Sequence, residues 1–538
     1  MPGLESHDGR GCQRTTRPAA TTLALTIGFG LASLVSVAAR SMATPADEAA
    51  TGAAQGPCPT DFTRSIPIPA AREVVIPARK KAWERSVGGE AAARPYIQAR
   101  LAGWPRHVLA DRAGLPAADR DFLLRVAHDT WNGLSALADR DNGLPIDNVR
   151  FTKQSVEIAD AHIGDYTSGT NIGLNLITIV AAHELQFISE AQALAQIRRV
   201  LDTLQHVETY RGFVFNFYDT TSLERTSNFV SFIDAAWLTA GLMVARTTFP
   251  ALAAPCSRLI ESMDYRFFYN AETRRISQGY YVNAGISSPY DYGMLYTEAR
   301  LGSLIAIGKG DIPETQWFQM IRTFAARCGG QTQTPRASRL KRVRGHEVSA
   351  GYYEWGGLRY VPSWGGSMFE ALMPTLVLDE AQFAPKSLGA NDRVHAAVQR
   401  RYCLETLGCS VWGMSPSATP AGQRYGEYGV GVLGARGYEA GPVAPHASAL
   451  ALSVTPDDTI ANLRRLVQRY DIYGEYGFYD AVNPQSGAVA YTYLSLDQSM
   501  LFIALANYLE PHSVQKRFAS DAIMQAVLPL IGDEDFFD

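Results

Sequence analysis

Segments that are apolar nearly all round alternate along this chain with segments that are apolar on one side only. Residues 171–187 are of the first kind. Residues 189–207, with Ser189 placed as an N-cap, carry their polar residues along one face. The same pairing recurs at 228–245 with 257–267, 289–308 with 314–327, 366–378 with 392–407 and 443–453 with 457–470, and a last helix is expected over 494–509. An earlier helix is predicted over 117–139, where Phe122, Val126, Trp131, Leu134 and Leu137 recur at helical spacing until Gly143, Leu144 and Pro145 interrupt the pattern. Strand-like alternation is scarce. Helices apolar on all sides must be buried on all sides, and amphipathic partners can cover them. The pattern therefore predicts an all-α fold in which inner and outer helices form a closed ring of hairpins.

The connections are long and chemically loaded. Segments 210–219, 354–364 and 473–480 hold Tyr, Trp, Gly and acidic residues, and loops of that kind on one rim of a ring make a cleft. Segment 331–346 differs, with Arg336, Arg339, Lys341, Arg342 and Arg344. It reads as a solvated or mobile basic loop, or else a flap over substrate.

Composition narrows the function. The hydrophobic share of 46% and charged share of 19% are those of an ordinary globular protein, while 25 Tyr and 8 Trp suit faces that stack on sugars. A net charge of −4 argues against a nucleic-acid partner and against a basic membrane-surface protein. Arg10, Arg14 and Arg17 precede an apolar run over 23–39, followed by the small residues Ser41 and Ala43 around Met42. Residues 1–43 are thus expected to be an export signal, with an uncleaved anchor as the alternative, and the product to be periplasmic or secreted. Residues 44–80 read as a linker, 81–510 as the ring, and 511–538 as a C-terminal tail with a short helix. Past the signal lie Cys58, Cys256, Cys328, Cys403 and Cys409, an odd number, of which Cys403 and Cys409 are the nearest pair to bridge. No metal-ligand spacing, nucleophile elbow or phosphate-cradling glycine loop is present, so no metal or cofactor is expected. Oligomeric state leaves no mark in the sequence.

Four acids stand among apolar residues of predicted inner helices: Asp234, Glu298, Glu370 and Asp497. For Glu298 the helix is expected to start at Ser288 as N-cap with Pro289 in its first turn, placing Glu298 on one face with Met294, Leu295, Leu301 and Ile305. A buried carboxyl needs a partner or a proton, and a retained proton is what a general acid requires. Any one of the four reads as structural. Together, near loop ends, they suggest the paired carboxylates of glycoside cleavage.

Four stretches then carry a family resemblance: 292–313 (YGMLYTEARLGSLIAIGKGDIP), 363–374 (SWGGSMFEALMP), 474–480 (GEYGFYD) and 494–499 (LSLDQS). Upstream, 170–174 (TNIGL), 215–220 (FNFYDT) and 230–234 (VSFID) extend it. The chain resembles the glycoamylase-like domain of bacterial endo-β-1,2-glucanases and cyclic β-1,2-glucan synthases over most of 120–510. That resemblance implies an (α/α) six-hairpin toroid acting on a glucan oligo- or polysaccharide, with Glu298 as general acid and Asp497 as the base that activates water. Asp234 would hold sugar. Candidate substrate-binding residues besides it are Glu370, Trp364, Asp219, Tyr296, Trp412, Glu475 and Tyr476. Two departures count: Leu-Asp-Gln-Ser-Met at 496–500 replaces the family's Ile-Asp-Gln-Gly-Pro, and the WGGSMFE stretch is more typical of the synthases. The rival readings are a transglycosylase with Glu370 or another acid as nucleophile and a non-catalytic glycan-binding protein of the same fold.

Overall fold

The computed structural model describes residues 74–420 and 424–538. The expected export signal, and the expected linker up to residue 73, lie outside the described residues. Six inner helices span Gly169–Glu184, Phe232–Thr248, Ala299–Gly308, Met368–Leu372, Pro445–Leu450 and Ser495–Leu509. Each packs against an amphipathic partner: Glu190–Leu204, Ala253–Ser262, Thr315–Gln319, Leu388–Arg401, Pro456–Arg469 and, closing the ring on the sixth, Asp119–Ala136. This is the expected toroid of six helix hairpins. The first inner helix buries fourteen of its sixteen residues, in keeping with its all-round apolarity, and Trp131 of the closing helix stacks on Phe502 of the sixth.

The first and second inner helices cross at backbone contact. A Cβ on Gly173 would sit 2.2 Å from the Trp237 carbonyl oxygen, and one on Gly241 2.3 Å from that of Gly173. No side-chain rotation relieves a clash with backbone. Gly173→Ala is therefore expected to cost about 1–3 kcal/mol, read as a lower urea midpoint with unchanged slope.

Short strands crowd the rim where the inner helices begin. Tyr166–Ser168, Phe229–Ser231 and Thr492–Leu494 lead directly into the first, second and sixth inner helices, and pair antiparallel with Phe217–Asp219, Gly279–Tyr281 and Asn148–Arg150. Serine caps then turn strand into helix: the Ser168 and Ser231 side chains accept from the backbone N–H groups of Asn171 and Asp234.

Several expectations are overturned. The basic segment is a strand hairpin and not a loop: Ala337–Val343 and His346–Trp355 pair through a turn at Arg344 and Gly345, both at positive φ, with Leu358–Tyr360 as a third strand. Its charges meet the C-terminal segment. Lys341 donates to the Asp535 carbonyl at 2.9 Å and to Asp538 Oδ2 at 2.8 Å, Arg344 donates to Asp533 at 2.9 Å, and Arg339 donates to the Asp538 main chain. Partners some 190 residues away hide such a strand from a local reading.

The helix expected from Pro289 begins only at Ala299. Over 290–295 the backbone bonds to other segments instead: Tyr292 N–H donates to the Ile276 carbonyl and Leu295 N–H to that of Ile321. The helix expected over 314–327 shrinks to Thr315–Gln319. Cys403 and Cys409 are free, whereas Cys328 is disulfide-bonded. Residues 511–538 form helices at Ser513–Ala519 and Ala522–Val527, the latter packed on the third inner helix. Among the described residues no helix is long and apolar enough to cross a membrane.

Candidate active site

The first turns of the inner helices meet one another around the rim. Asp234, in the first turn of the second, accepts from the Thr170 hydroxyl at 2.7 Å and its N–H at 3.1 Å, joining the second helix to the first. Tyr292 lies between the second helix and the third, near enough for the charges of both Glu298 and Asp234 to raise its buried hydroxyl. Glu298 faces Glu370 across the third and fourth. Asp497 lies 3.2 Å from His446 Nδ1, linking the sixth to the fifth. Asp147 closes the circle, accepting at its side chain from Asn171 and at its carbonyl from Ser495 N–H. Acids in first turns lie at the positive ends of helix dipoles, which favours their charged forms. Burial opposes this, and it wins at every acid of this ring whose protonation departs from the ordinary.

Glu298 occupies the N-cap position of the third inner helix, not the middle of an apolar stripe, and is 7% exposed. Burial first, then the negative charge of Glu370, push its carboxyl up to about 7, while Arg300 opposes them. Glu370 is placed differently. Its carboxylate accepts from Gly365 N–H at 3.0 Å, Ser363 Oγ at 3.1 Å, Ser367 N–H at 3.2 Å and Ser367 Oγ at 3.0 Å; the Ser367 N–H bond, with the Glu370 N–H donating back to Ser367 Oγ at 3.2 Å, forms the capping box of its own helix. Burial still raises it, against these four donors. Tyr438 sits beside both acids, and burial followed by their charges pushes its hydroxyl well above the usual range. Gly365 allows that approach, since a Cβ there would lie 2.1 Å from the Tyr438 ring.

A second acidic group surrounds Asp497. Asp480, Asp497 and His446 are each no more than 2% exposed, and Ala418 N–H donates to Asp480 at 2.5 Å. Burial and then the Asp480 charge drive Asp497 well above the carboxylate range. Asp480 is raised by burial too. Two carboxyls this buried and this close favour a state in which the pair keeps a proton. Burial holds His446 down to about 3, so its imidazole is neutral. Ligand atoms of these three residues lie within 4.8 Å of one another, a donor set that a divalent cation could also use. Tyr425 faces this group, Tyr438 faces the Glu298 group, and Glu427 acts on both tyrosines, so segment 425–438 runs between the two.

The other candidates scatter. Trp364 follows Ser363 on the loop that Glu370 holds, packed on Met294, Phe324 and Ala435. Tyr476 lines a small pocket with Tyr493, Ser495 and Gln498, on the Asp497 side. Glu475 accepts from the N–H groups of Arg106 and His107 and tethers that segment. Asp219 pairs with Lys80 at 2.5 Å, together with Asp165, and so anchors the helix Ala78–Ser86. Tyr296 is fully buried and donates to Asp392 at 2.6 Å, and Trp412 lies in the core at 1% exposure. Sequence reading missed Asp480, His446, Asp147, Tyr292, Tyr425 and Tyr438. Asp480 left a trace as the acid that ends an aromatic loop segment. His446 left none, since a single histidine after a proline signals nothing.

Residues 341–522 match the glycoamylase family model, described as putative glucoamylase. The cyclic beta-(1,2)-glucan synthase NdvB of Rhizobium meliloti is 24% identical over 560 residues, covering 76% of this chain and 18% of that protein. The exo beta-1,2-glucooligosaccharide sophorohydrolase (non-reducing end) of Parabacteroides distasonis is 22% identical over 372 residues, covering 62% of this chain and 49% of that protein. The chain thus spans about a fifth and about half of these two curated relatives. The structure of an endo-beta-1,2-glucanase from Chitinophaga pinensis with sophorotriose and glucose superposes with a TM-score of 0.61 at 17% identity, over 77% of this chain and 99% of that one. The glycoamylase-like resemblance read from the motifs is borne out, in sequence over 341–522 and in fold over the ring.

Proposed function

We propose that this protein is an exported glycoside hydrolase that cleaves β-1,2-linked glucan, with Glu298 as general acid. The observation that carries the reading is a buried carboxyl at the rim of a glycoamylase-like toroid, raised to about 7 beside a second, hydrogen-bonded carboxyl. The relatives named for β-1,2-glucan chemistry support the linkage. The disulfide at Cys328 supports an oxidising compartment and hence the export signal read from residues 1–43.

Glu298, protonated below about pH 7, gives its proton to the glycosidic oxygen as the bond to the anomeric carbon breaks. Water attacks that carbon and passes a proton to the singly ionised Asp480–Asp497 pair. Activity is accordingly expected to fall as pH rises through about 7, where Glu298 loses its proton. A pH profile of kcat/KM checks this, and a plateau extending to pH 9 contradicts the assignment.

A transglycosylase reading has its own support, because the carboxylate facing Glu298 is Glu370, held by four donors as an ionised nucleophile would be. A separation of about 5–5.5 Å between acid and nucleophile would favour a covalent intermediate, whereas about 6.5–9.5 Å leaves room for water. Incubation with linear β-1,2-glucan, following reducing ends and anomeric configuration by NMR, separates the readings. New reducing ends with inverted configuration support hydrolysis through water. Redistributed lengths with constant reducing ends support transfer, and retarded migration without either supports binding alone. Cleavage confined to β-1,3-, β-1,4- or α-linked glucans overturns the substrate.

A further inference from the structure

Arg300 is fully buried two residues after Glu298, and all five of its N–H donors are used. Nε and Nη2 grip Glu380 at 2.7 and 2.9 Å. Nη1 donates to the carbonyl of Thr297 at 2.9 Å and to that of Glu370 at 3.1 Å, and Nη2 donates to the carbonyl of Ala371 at 2.6 Å. Thr297 C=O belongs to the peptide that enters Glu298, and Glu370 C=O to the peptide that leaves Glu370. One guanidinium therefore holds the backbone of both acids. The fork is itself fixed: Tyr296 lies 4.7 Å from its centre and donates to Asp392, which burial and the Glu380 charge push well above the carboxylate range, so that Asp392 keeps its proton beside Glu380.

Resting on the glycosidase reading above, we propose that Arg300 is the positioning residue that sets the separation and facing of Glu298 and Glu370, with Glu380 as its anchor. The consequence is chemical, since carboxyl separation decides whether water or a second carboxylate attacks the sugar. Lysine keeps the charge but offers a point ammonium instead of a planar fork, so it cannot bridge three carbonyls and a carboxylate.

The test uses Arg300→Lys and the charge-neutral double variant Arg300→Met with Glu380→Leu, which leaves no unpaired buried ion. With linear β-1,2-glucan, and near-UV circular dichroism matched to wild type, both are expected to lose about 10²-fold in kcat with KM within about twofold, as misplacement by an ångström does. The ratio of transfer to hydrolysis is also expected to change. Groups facing Glu298 are Glu370, Arg300, Tyr292 and Tyr438, and only the double variant removes a charge among them. Infrared titration of the Glu298 carboxyl should therefore move upward in the double variant and stay in place in Arg300→Lys. Folded variants with wild-type kcat and product ratio overturn the proposal, and so does an unmoved Glu298 titration in the double variant. If the wild type proves inactive on the glucan, the functional reading fails by itself, and a crystal structure of Arg300→Lys still decides the role of Arg300, an unchanged Glu298–Glu370 separation overturning it.

Discussion

Glu298→Gln is expected to lower kcat by roughly 10²–10⁴-fold, the usual contribution of a positioned proton donor, while the protein becomes more stable at alkaline pH. The sign follows from linkage. In the unfolded chain Glu298 titrates near 4.5 and in the folded protein at about 7, so between these values the folded state holds a proton that the unfolded state has lost. Wild-type stability must fall as pH rises through that window, by on the order of 3 kcal/mol in total. The glutamine variant carries no such penalty. Its melting temperature should match wild type near pH 4 and exceed it at pH 8. Thermal melts at both values, with a progress curve on β-1,2-glucan, check the two halves together. Full activity removes Glu298 from the mechanism, and a pH-independent difference in melting removes the buried-acid account.

Asp480→Asn and Asp497→Asn are each expected to cost roughly 10²–10⁴-fold in kcat/KM, and the double variant scarcely more than either alone. Groups acting as one unit are not additive, and here the unit is one proton shared by two buried carboxyls. A complete double-mutant cycle measures this, and losses that multiply would mean two separate roles. Both acids are raised in the folded state, so wild-type stability should fall as pH rises towards neutral, and an amide at either position should lessen that fall. Dialysis against a chelator adds a control: unchanged activity is expected where the pair holds a proton, and loss restored by a divalent cation would assign the His446, Asp480 and Asp497 donor set to a metal instead.

Much of the fold was legible because helix burial is written locally. A segment apolar on every side has nowhere to go but the interior, and Gly169–Glu184, Phe232–Thr248 and Ser495–Leu509 follow from that alone. The segment before Glu298 was misread although Ser288 and Pro289 are good helix-start residues. Local preference there amounts to about a kilocalorie per cap, and hydrogen bonds to 276–278 and 321 outweigh it. The basic hairpin was misread for a related reason, its charges being met by the carboxylates of Asp533 and Asp538 and the main-chain carbonyl of Asp535 at the far end of the chain.

By itself, then, the sequence determined the ring and the four acids set among its apolar inner segments, because period and the oddity of a carboxyl among apolar residues are properties of short segments. Only the tertiary structure decided which acids face one another. Glu298 meets Glu370, Asp497 meets Asp480 and His446, and Asp219 is taken by Lys80. Those pairings depend on how six helix ends converge on one rim. The distances between charges that shift a proton by several kilocalories are set across the ring, where no local pattern in the chain records them.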